Sequence, residues 1–245
     1  MVLKDPMPEK TGEMTIWQHL DELRKRLLYS LIGLVIAVVI SIIFAEPLLE
    51  WIAKPIGGLE NLLSIQVTEN LSVYFRVTLL AGFILSLPFT LIQLFLFILP
   101  GLTIKERRWL VLSVPLASLL FCAGALFAYF VMLPAAIPFL VQFPGPEVLP
   151  KWGDYVNFLT NLIFWIGLSF LTPLLMFILA KLGIVDARGL AKQWRFAIIF
   201  IAIIAAVATP TPDPINMLLL MAPLFILYLL GILLAALARR KRKEE

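Results

Sequence analysis

The chain has 245 residues, of which 61% are hydrophobic and 15% are charged, with a net charge of +4. Soluble domains carry about 25% charged residues, so this composition excludes an ordinary soluble protein and indicates a protein with several membrane spans. The single cysteine, Cys122, excludes an internal disulfide bond, and the lone histidine, His19, excludes a site that needs two imidazoles.

An amphipathic helix is predicted over about 15–28, ahead of the first membrane span. Its apolar residues recur at helical spacing and share one face, and its charged residues, Arg24 among them, are expected on the other sides. A helix of this kind lies at the membrane interface and leads into the span that follows. The residues of the apolar face are Ile16, Leu20, Leu23 and Leu27.

Six apolar segments are predicted to cross the membrane, because a helical span needs about 20 mostly apolar residues. The fifth is short, so it either forms a hairpin with the sixth or one of the two is re-entrant. Three prolines in the turn at 209–214 stop both helices and favour the hairpin. The predicted spans are about 27–45, 73–99, 109–133, 158–182, 196–208 and 215–238.

The basic residues predict the orientation of these spans. All of the 20 Lys and Arg residues except Lys54, Arg76 and Lys151 fall on one side if six spans are present. Basic loops stay in the cytoplasm, so both termini are predicted to be cytoplasmic. We therefore predict one all-α domain over 1–245 in the cell membrane. Its cytoplasmic segments are 1–26, 100–108, 181–195 and the basic tail 239–245.

Two longer segments, about 46–72 and 134–156, are predicted on the outer side of the membrane. The first is rich in glutamate and the second in proline. Trp152 and Tyr155 in the second segment are expected to anchor it at the membrane interface, where aromatic side chains are enriched.

The middles of the predicted spans hold no Asp, Glu, Lys, Arg or His. Ionisable residues inside a membrane usually mark an ion pathway or a catalytic site, so we expect no ion-coupled transport through this chain, no enzyme activity, no metal and no cofactor. No nucleotide-binding motif occurs, and no nucleic-acid partner is expected. The milder polar residues are expected to hydrogen-bond between helices or to dock a partner helix. They are Gln93, Asn157, Thr160, Asn161, Thr172 and Asn216.

Four prolines lie inside the predicted spans, at Pro88, Pro115, Pro173 and Pro223. Each removes a backbone hydrogen bond, so each is expected to bend its helix, and bent helices would splay into an open cup. The alternative is that these prolines are tolerated in an ordinary bundle.

The segment between the second and third spans is short. Pro100 and Gly101 are expected to end one helix, and Thr103 with Glu106 matches a capping box at the start of the next. From these residues alone, Glu106 is equally a helix cap or a functional acid.

Three further stretches carry a family resemblance. They read HLDELRKRLL at 19–28, FxxPGLTxxERR at 97–108 and GALFAYFVMLP at 124–134. With the turn that contains Thr209, Pro210 and Asp213, they make the chain resemble the TatC family, the core receptor of the twin-arginine protein translocase. The resemblance covers essentially the whole chain.

This resemblance implies a glove-shaped six-helix protein that binds signal peptides with consecutive arginines and passes folded proteins across the membrane. The implied partners are TatA-type and possibly TatB-type single-span subunits, further copies of the chain, and lipid, with the proton-motive force acting on the assembled complex. The signal-binding residues that the resemblance implies are Glu22, Glu106, Arg24 and Phe97. The two acids suit this role, because a carboxylate pairs bidentately with a guanidinium. Pro55, Pro88, Phe127, Tyr129, Pro134 and Asp213 also occupy motif positions, where folding or partner docking is expected.

Two positions within the predicted spans depart from the family pattern. Many members have a glutamate in the fourth span and another late in the sixth, where this chain has Leu171 and Leu229. We therefore expect a partner helix without the matching polar residue, as in a simple two-component system.

Two other functions remain open from the residues alone. A small-solute permease would need a polar site at the midplane and usually inverted repeats. A membrane anchor subunit would leave Glu22 as a surface charge and Glu106 as a helix cap.

Overall fold

The computed structural model describes residues 16–98, 104–141, 150–209 and 214–244. Within these ranges the chain forms helices, turns and one isolated β-bridge, so the predicted all-α class is confirmed. The α-helices are α1 (Ile16–Ile43), α2 (Ala45–Ala53), α3 (Glu69–Ile98), α4 (Ile104–Phe127), α5 (Leu133–Val141), α6 (Trp152–Phe170), α7 (Thr172–Leu182), α8 (Ala187–Lys192), α9 (Trp194–Ala208) and α10 (Pro214–Glu244).

Apolar helical stretches overlap all six predicted spans. In the part of the chain that the structure describes, five are long enough to cross a membrane, and α9 is apolar but has only 15 residues. The five long stretches are Trp17–Ile43, Glu69–Ile98, Leu110–Pro138, Trp152–Leu182 and Pro214–Ala238.

The amphipathic segment and the first span form one continuous helix, α1, of 28 residues. The chain has no proline in this range and no glycine before Gly33, so nothing breaks the helix where the interface segment ends. The charged first turns of α1 are therefore rigidly connected to its membrane segment.

The long helices pack in a bundle in which α3, α4 and α6 all contact one another. α1 packs chiefly against α3, which also contacts α4 and α6, and α10 packs against α7 and α9. A glycine permits the close α1–α3 contact, since a β-carbon at Gly82 would lie 2.7 Å from Val38 Cα and 2.8 Å from Val38 N. This contact fixes the position of the first turns of α1 relative to the end of α3.

The core lies around α6, which contacts α3, α4 and α10. Leu159, Leu162 and Ile166 are almost fully buried there, and Phe121 of α4 is completely buried. A β-carbon at Gly167 would lie 2.7 Å from Phe121 Cζ, so the missing side chain makes room for that ring. The apolar surface that remains outside this core is the surface expected to face lipid.

Proline breaks only one of the four helices in which a bend was expected. Leu171 separates α6 from α7, just before Pro173. Pro88, Pro115 and Pro223 lie inside continuous helices. Neighbouring helices and local adjustments allow a membrane helix to tolerate the missing backbone bond.

Two of the polar residues bond within their own helix, so the expectation of hydrogen bonds between helices is wrong for them, and docking of a partner helix stays a prediction. Thr160 donates to the Val156 carbonyl within α6 (2.7 Å), and Asn161 donates to Asn157 Oδ1 in the same helix (3.1 Å). The expectation is confirmed for Gln93, which bonds to a side chain of α1.

Candidate functional site

The first turns of α1 meet the last turns of α3 at what we call the N-terminal end of the bundle. The imidazole of His19 stacks on the ring of Phe97, with ring centroids 4.3 Å apart and planes 19° apart. The two helices run antiparallel, because Tyr74 near the start of α3 donates to the Ile42 carbonyl near the end of α1 (3.3 Å). Phe97, a predicted site residue, therefore lies beside α1 at this end.

Glu22 lies on α1 at the N-terminal end and holds a guanidinium. Arg26 donates to Glu22 Oε1 from Nε (3.1 Å) and from Nη2 (2.8 Å). The two residues are four apart, so they occupy neighbouring turns on one side of the helix. About a quarter of each side chain is exposed, so the carboxylate remains accessible.

Arg26 also connects α1 to α3. Its Nη1 donates to Gln93 Oε1 over 3.2 Å, and Gln93 is only 7% exposed. The buried amide thereby obtains the hydrogen bond that a buried polar group needs. Glu22, Arg26 and Gln93 form one network that crosses the α1–α3 contact.

Arg24 lies on the other side of α1 from Glu22, beside the apolar residues, which corrects the expectation that it lies away from the apolar face. A separation of two residues turns a helix by about 200°, so Arg24 points away from Glu22. It lines a shallow, open, apolar groove with leucines of the same helix. Those leucines are Leu20, Leu23, Leu27, Leu28 and Leu31.

Two further predicted site residues lie partly or wholly outside the described residues. The backbone of Glu106 is in the first turn of α4, and its side chain is outside the described part. Asp213 is outside it entirely.

The opposite end of the bundle is held together by Glu69, at the start of α3. Its Oε2 accepts from the backbone N–H groups of Ile65 (2.8 Å) and Gln66 (3.2 Å). Its Oε1 accepts from the backbone N–H of Gly153 (2.6 Å). Glu69 therefore links the segment before α3 to the start of α6, and a backbone bridge between Leu63 and Lys151 reinforces this link.

Aromatic residues at this end are buried, which corrects the expectation that Trp152 and Tyr155 are interfacial anchors. Both are less than 10% exposed, and the Tyr155 hydroxyl donates to the Ile52 carbonyl of α2 (2.8 Å). Both side chains belong to the buried cluster that includes Ile52 of α2. Tyr129 similarly donates to the Trp51 carbonyl (2.6 Å) and stacks on the Trp51 ring at 3.8 Å.

The remaining motif residues are spread along the bundle. Pro55 lies in a 3-10 turn after α2, Pro88 lies exposed in the middle of α3, and Pro134 is the second residue of α5. Phe127 ends α4 and packs on Phe170 with ring centroids 5.6 Å apart. These positions connect helices and loops and do not converge on Glu22.

The two positions that depart from the family pattern lie in different settings. Leu171 is half-buried at the break between α6 and α7. Leu229 lies on α10 and is about half exposed. Neither position carries a side chain that can ionise.

Sequence reasoning did not connect Glu22 with Arg26 and Gln93, and it missed the role of Glu69. A signal for the first existed, since Glu22 and Arg26 have the spacing of a helical ion pair. Gln93 is 67 residues from Arg26, so only the packing of α1 on α3 shows their contact. Sequence reasoning also missed the π-helical segment Ala128–Met132, which lies just before Pro134.

Comparison with known proteins decides the family. The model of the Sec-independent protein translocase protein (TatC) family matches residues 18–223. The chain belongs to the TatC family. Its relatives include the Sec-independent protein translocase protein TatC of Deinococcus radiodurans, 37% identical over 100% of this chain and 93% of the relative. The chloroplastic TATC protein of Pisum sativum is 34% identical over 97% of this chain and 68% of the relative.

Solved structures agree with this family. A crystal structure of the twin-arginine translocase receptor TatC has a TM-score of 0.80 and 33% identity, over 90% of this chain and 99% of that chain. A crystal structure of the same receptor in DDM has a TM-score of 0.81 and 32% identity, over 89% and 99%. The TatC-family chain is thus a multi-pass membrane protein and a core subunit of the twin-arginine translocase, as its sequence predicted.

Proposed function

We propose that this chain is the signal-peptide receptor of its translocase, with the N-terminal end of the bundle facing the cytoplasm. One observation carries the proposal: Glu22 holds a guanidinium through two N–H groups at a partly exposed position. The arrangement is the chemistry needed to bind an arginine of a signal peptide. The twin-arginine receptor structures similar to this chain support the same function.

Glu106 is proposed to take the second arginine of the pair. It lies in the first turn of α4, on a different helix from Glu22, so two separately held acids would each bind one guanidinium. A guanidinium is a planar fork with several donors, whereas a lysine ammonium is a point charge, so this site would favour arginine. Phe97 is proposed to supply an apolar wall beside Glu22, and Arg24 is proposed to contact lipid or the apolar part of the peptide.

The further partners follow the family. We propose that the chain assembles in the cell membrane with copies of itself, with TatA-type single-span subunits and, where the system has them, with TatB-type subunits. The complex would export folded proteins without catalysing a reaction. Leu171 and Leu229 favour a partner helix that needs no buried carboxylate. Pro55, Pro88, Phe127, Tyr129, Pro134 and Asp213 are proposed to serve folding or subunit docking.

The test is binding of a fluorescently labelled twin-arginine peptide to the purified full-length protein in detergent. We expect Glu22→Gln and Glu106→Gln each to weaken binding about tenfold or more, since each removes a charge-assisted hydrogen bond. A peptide with Lys-Lys in place of Arg-Arg should lose affinity similarly. Glu60→Gln is the matched control, because it removes one carboxylate from an exposed turn at the opposite end.

The outcomes separate function from site. Equal binding of the Arg-Arg and Lys-Lys peptides would contradict the receptor function. The remaining functions would then be a small-solute permease and a membrane anchor subunit. A preference for Arg-Arg that survives both substitutions would keep the function and move the site elsewhere. Binding at Glu22 should also weaken as salt rises, because exposed charges are screened over about 10 Å at 0.1 M salt.

A further inference from the structure

Glu22 already has an occupant. Arg26 gives it the two-donor contact that a signal-peptide arginine would make, with Nε and Nη2 both directed at Oε1. The remaining terminal nitrogen of the same guanidinium, Nη1, is bonded to Gln93 on α3. Arg26 therefore has two acceptors, one accessible on its own helix and one buried on the neighbouring helix.

These two acceptors differ in how easily Arg26 leaves them. The Glu22–Arg26 pair joins residues four apart on one helix and is about a quarter exposed, and ion pairs of this kind are weak. Gln93 is buried, and it would lose a needed hydrogen bond if Arg26 left. A competing cation would therefore displace Arg26 from Glu22 more easily than from Gln93.

We propose that Arg26 is a built-in competitor at the recognition carboxylate, so that signal-peptide binding exchanges one guanidinium for another. The inference depends on the proposed role of Glu22 in binding arginine. On binding, the peptide arginine takes Glu22, while Arg26 keeps its bond to Gln93. Glu22 has a cation before and after the exchange, and Arg26 afterwards keeps the neutral amide oxygen of Gln93 as its acceptor.

The exchange has a defined thermodynamic signature. A competitor that must leave Glu22 first weakens the binding of every cationic peptide by the same factor. It therefore lowers the affinity for both peptides without changing the ratio of the Arg-Arg affinity to the Lys-Lys affinity. A residue that positions Glu22 for arginine would behave differently, because its loss would weaken the binding of the Arg-Arg peptide more than that of the Lys-Lys peptide. Affinity and selectivity together separate the two roles.

The experiment measures both peptides on the full-length protein carrying Arg26→Gln, with Lys25→Gln as the matched control. Lys25 is an exposed neighbour on the same helix, so its substitution removes the same charge without removing a Glu22 contact. We expect Arg26→Gln to tighten the binding of both peptides about twofold, with the ratio of the two affinities unchanged, and Lys25→Gln to change the binding of either peptide less. In a Glu22→Gln background, Arg26→Gln should have no more effect than Lys25→Gln.

Arg26→Lys is a second variant, used in case Arg26→Gln does not fold. Lysine keeps the charge but cannot bridge Glu22 and Gln93 as a fork, so binding should tighten less than in Arg26→Gln. Thermal unfolding in the same detergent checks that both variants are folded. Weaker binding in either folded variant, or a reduced Arg-Arg to Lys-Lys ratio, would overturn the exchange.

Failure of the exchange is distinct from failure of the proposed function. If the unsubstituted protein prefers Arg-Arg and Glu22→Gln removes that preference, the receptor site stands whatever Arg26 does. If Glu22→Gln has no effect on the peptide, the receptor site at Glu22 is wrong and the exchange is wrong with it.

Discussion

Glu22 and Glu69 are the same residue type at opposite ends of the bundle, and their surroundings differ in one respect. Glu22 is held by the side chain of Arg26, from its own helix. Glu69 is held by backbone N–H groups, from Ile65 and Gln66 on one side and from Gly153 of a distant segment on the other. One carboxylate has a partner that can move, and the other has partners fixed by the fold.

The difference shows how one residue type, glutamate, can serve either as a structural link or as an exchangeable binding group. Backbone donors cannot leave without unfolding their segment, so Glu69 closes the opposite end as a structural link. A side-chain donor on a flexible stem can leave at little cost, so Glu22 can change partner while the fold stays intact. Tyr155 and Tyr129 add further links at the opposite end, each to a backbone carbonyl of α2.

The largest effect is expected at the close contact between α1 and α3, which positions the two helices at the N-terminal end of the bundle. Gly82→Val would place a β-carbon within 3 Å of the Val38 backbone, which cannot move aside without shifting α1. We expect a loss of about 3 kcal/mol in the free energy of unfolding, together with loss of peptide binding, since Arg26 and Gln93 would separate. Thermal unfolding and peptide binding in detergent measure both.

Gly189→Val is the matched control for this substitution. Gly189 lies exposed in α8, and the nearest atom to an added β-carbon is Asp186 Cβ at 4.0 Å. It should leave the unfolding temperature and peptide binding nearly unchanged. Full peptide binding in Gly82→Val would show that the site does not depend on the α1–α3 contact.

Glu69→Gln tests the structural carboxylate at the opposite end. An amide has one acceptor oxygen and one donor nitrogen, so whichever way it turns, its donor faces the N–H groups of Ile65 and Gln66 or that of Gly153. We expect a clear fall in the unfolding temperature with peptide binding retained at temperatures where the protein stays folded.

Glu22→Gln should give the reverse result, with peptide binding lost and the unfolding temperature nearly constant, because a helical ion pair of this spacing contributes only about 0.3–0.5 kcal/mol. If the two substitutions had the same effect on stability, the contrast between a fixed and an exchangeable carboxylate would be wrong.

Tyr155→Phe is expected to cost less, about 1–3 kcal/mol of unfolding free energy, because it leaves the buried Ile52 carbonyl without its donor. Urea or thermal unfolding in detergent measures the loss. Tyr74→Phe is the control, since the Tyr74 hydroxyl makes an exposed and longer bond (3.3 Å) that water can replace. Equal losses in the two variants would show that burial of the hydroxyl does not matter.

The family and the helical class could be predicted because their signals are local. Apolar length marks a span, and the family motifs are short stretches of neighbouring residues. The pairing of Glu22 with Arg26 was missed, although its helical ion-pair spacing is visible in the chain. The break at Leu171 was foreseen from Pro173, whereas Pro88 lies in a continuous helix. A proline therefore gives a place where a bend is allowed, and packing decides whether the helix breaks.

The links between distant segments could not be predicted. Glu69 looked like one of several loop acids, because its bond to Gly153 joins residues 84 apart. Tyr155 looked like an interfacial anchor, because no local pattern shows its bond to the Ile52 carbonyl of α2. Gln93 was seen as a polar residue in a span, but its partner on α1 depends on the packing of two helices.

The smallest effect is expected at the stack of His19 on Phe97. An aromatic pair contributes about 0.5–1.5 kcal/mol, and this one is exposed on the His19 side, so His19→Ala should weaken peptide binding only about two- to threefold. His19→Phe keeps a stacking ring without the imidazole, so it should restore binding if the stack holds Phe97 in place beside Glu22. If His19→Phe binds the peptide no better than His19→Ala, the imidazole contacts the peptide itself, and the N-terminal end has a recognition group that the stacking geometry does not explain.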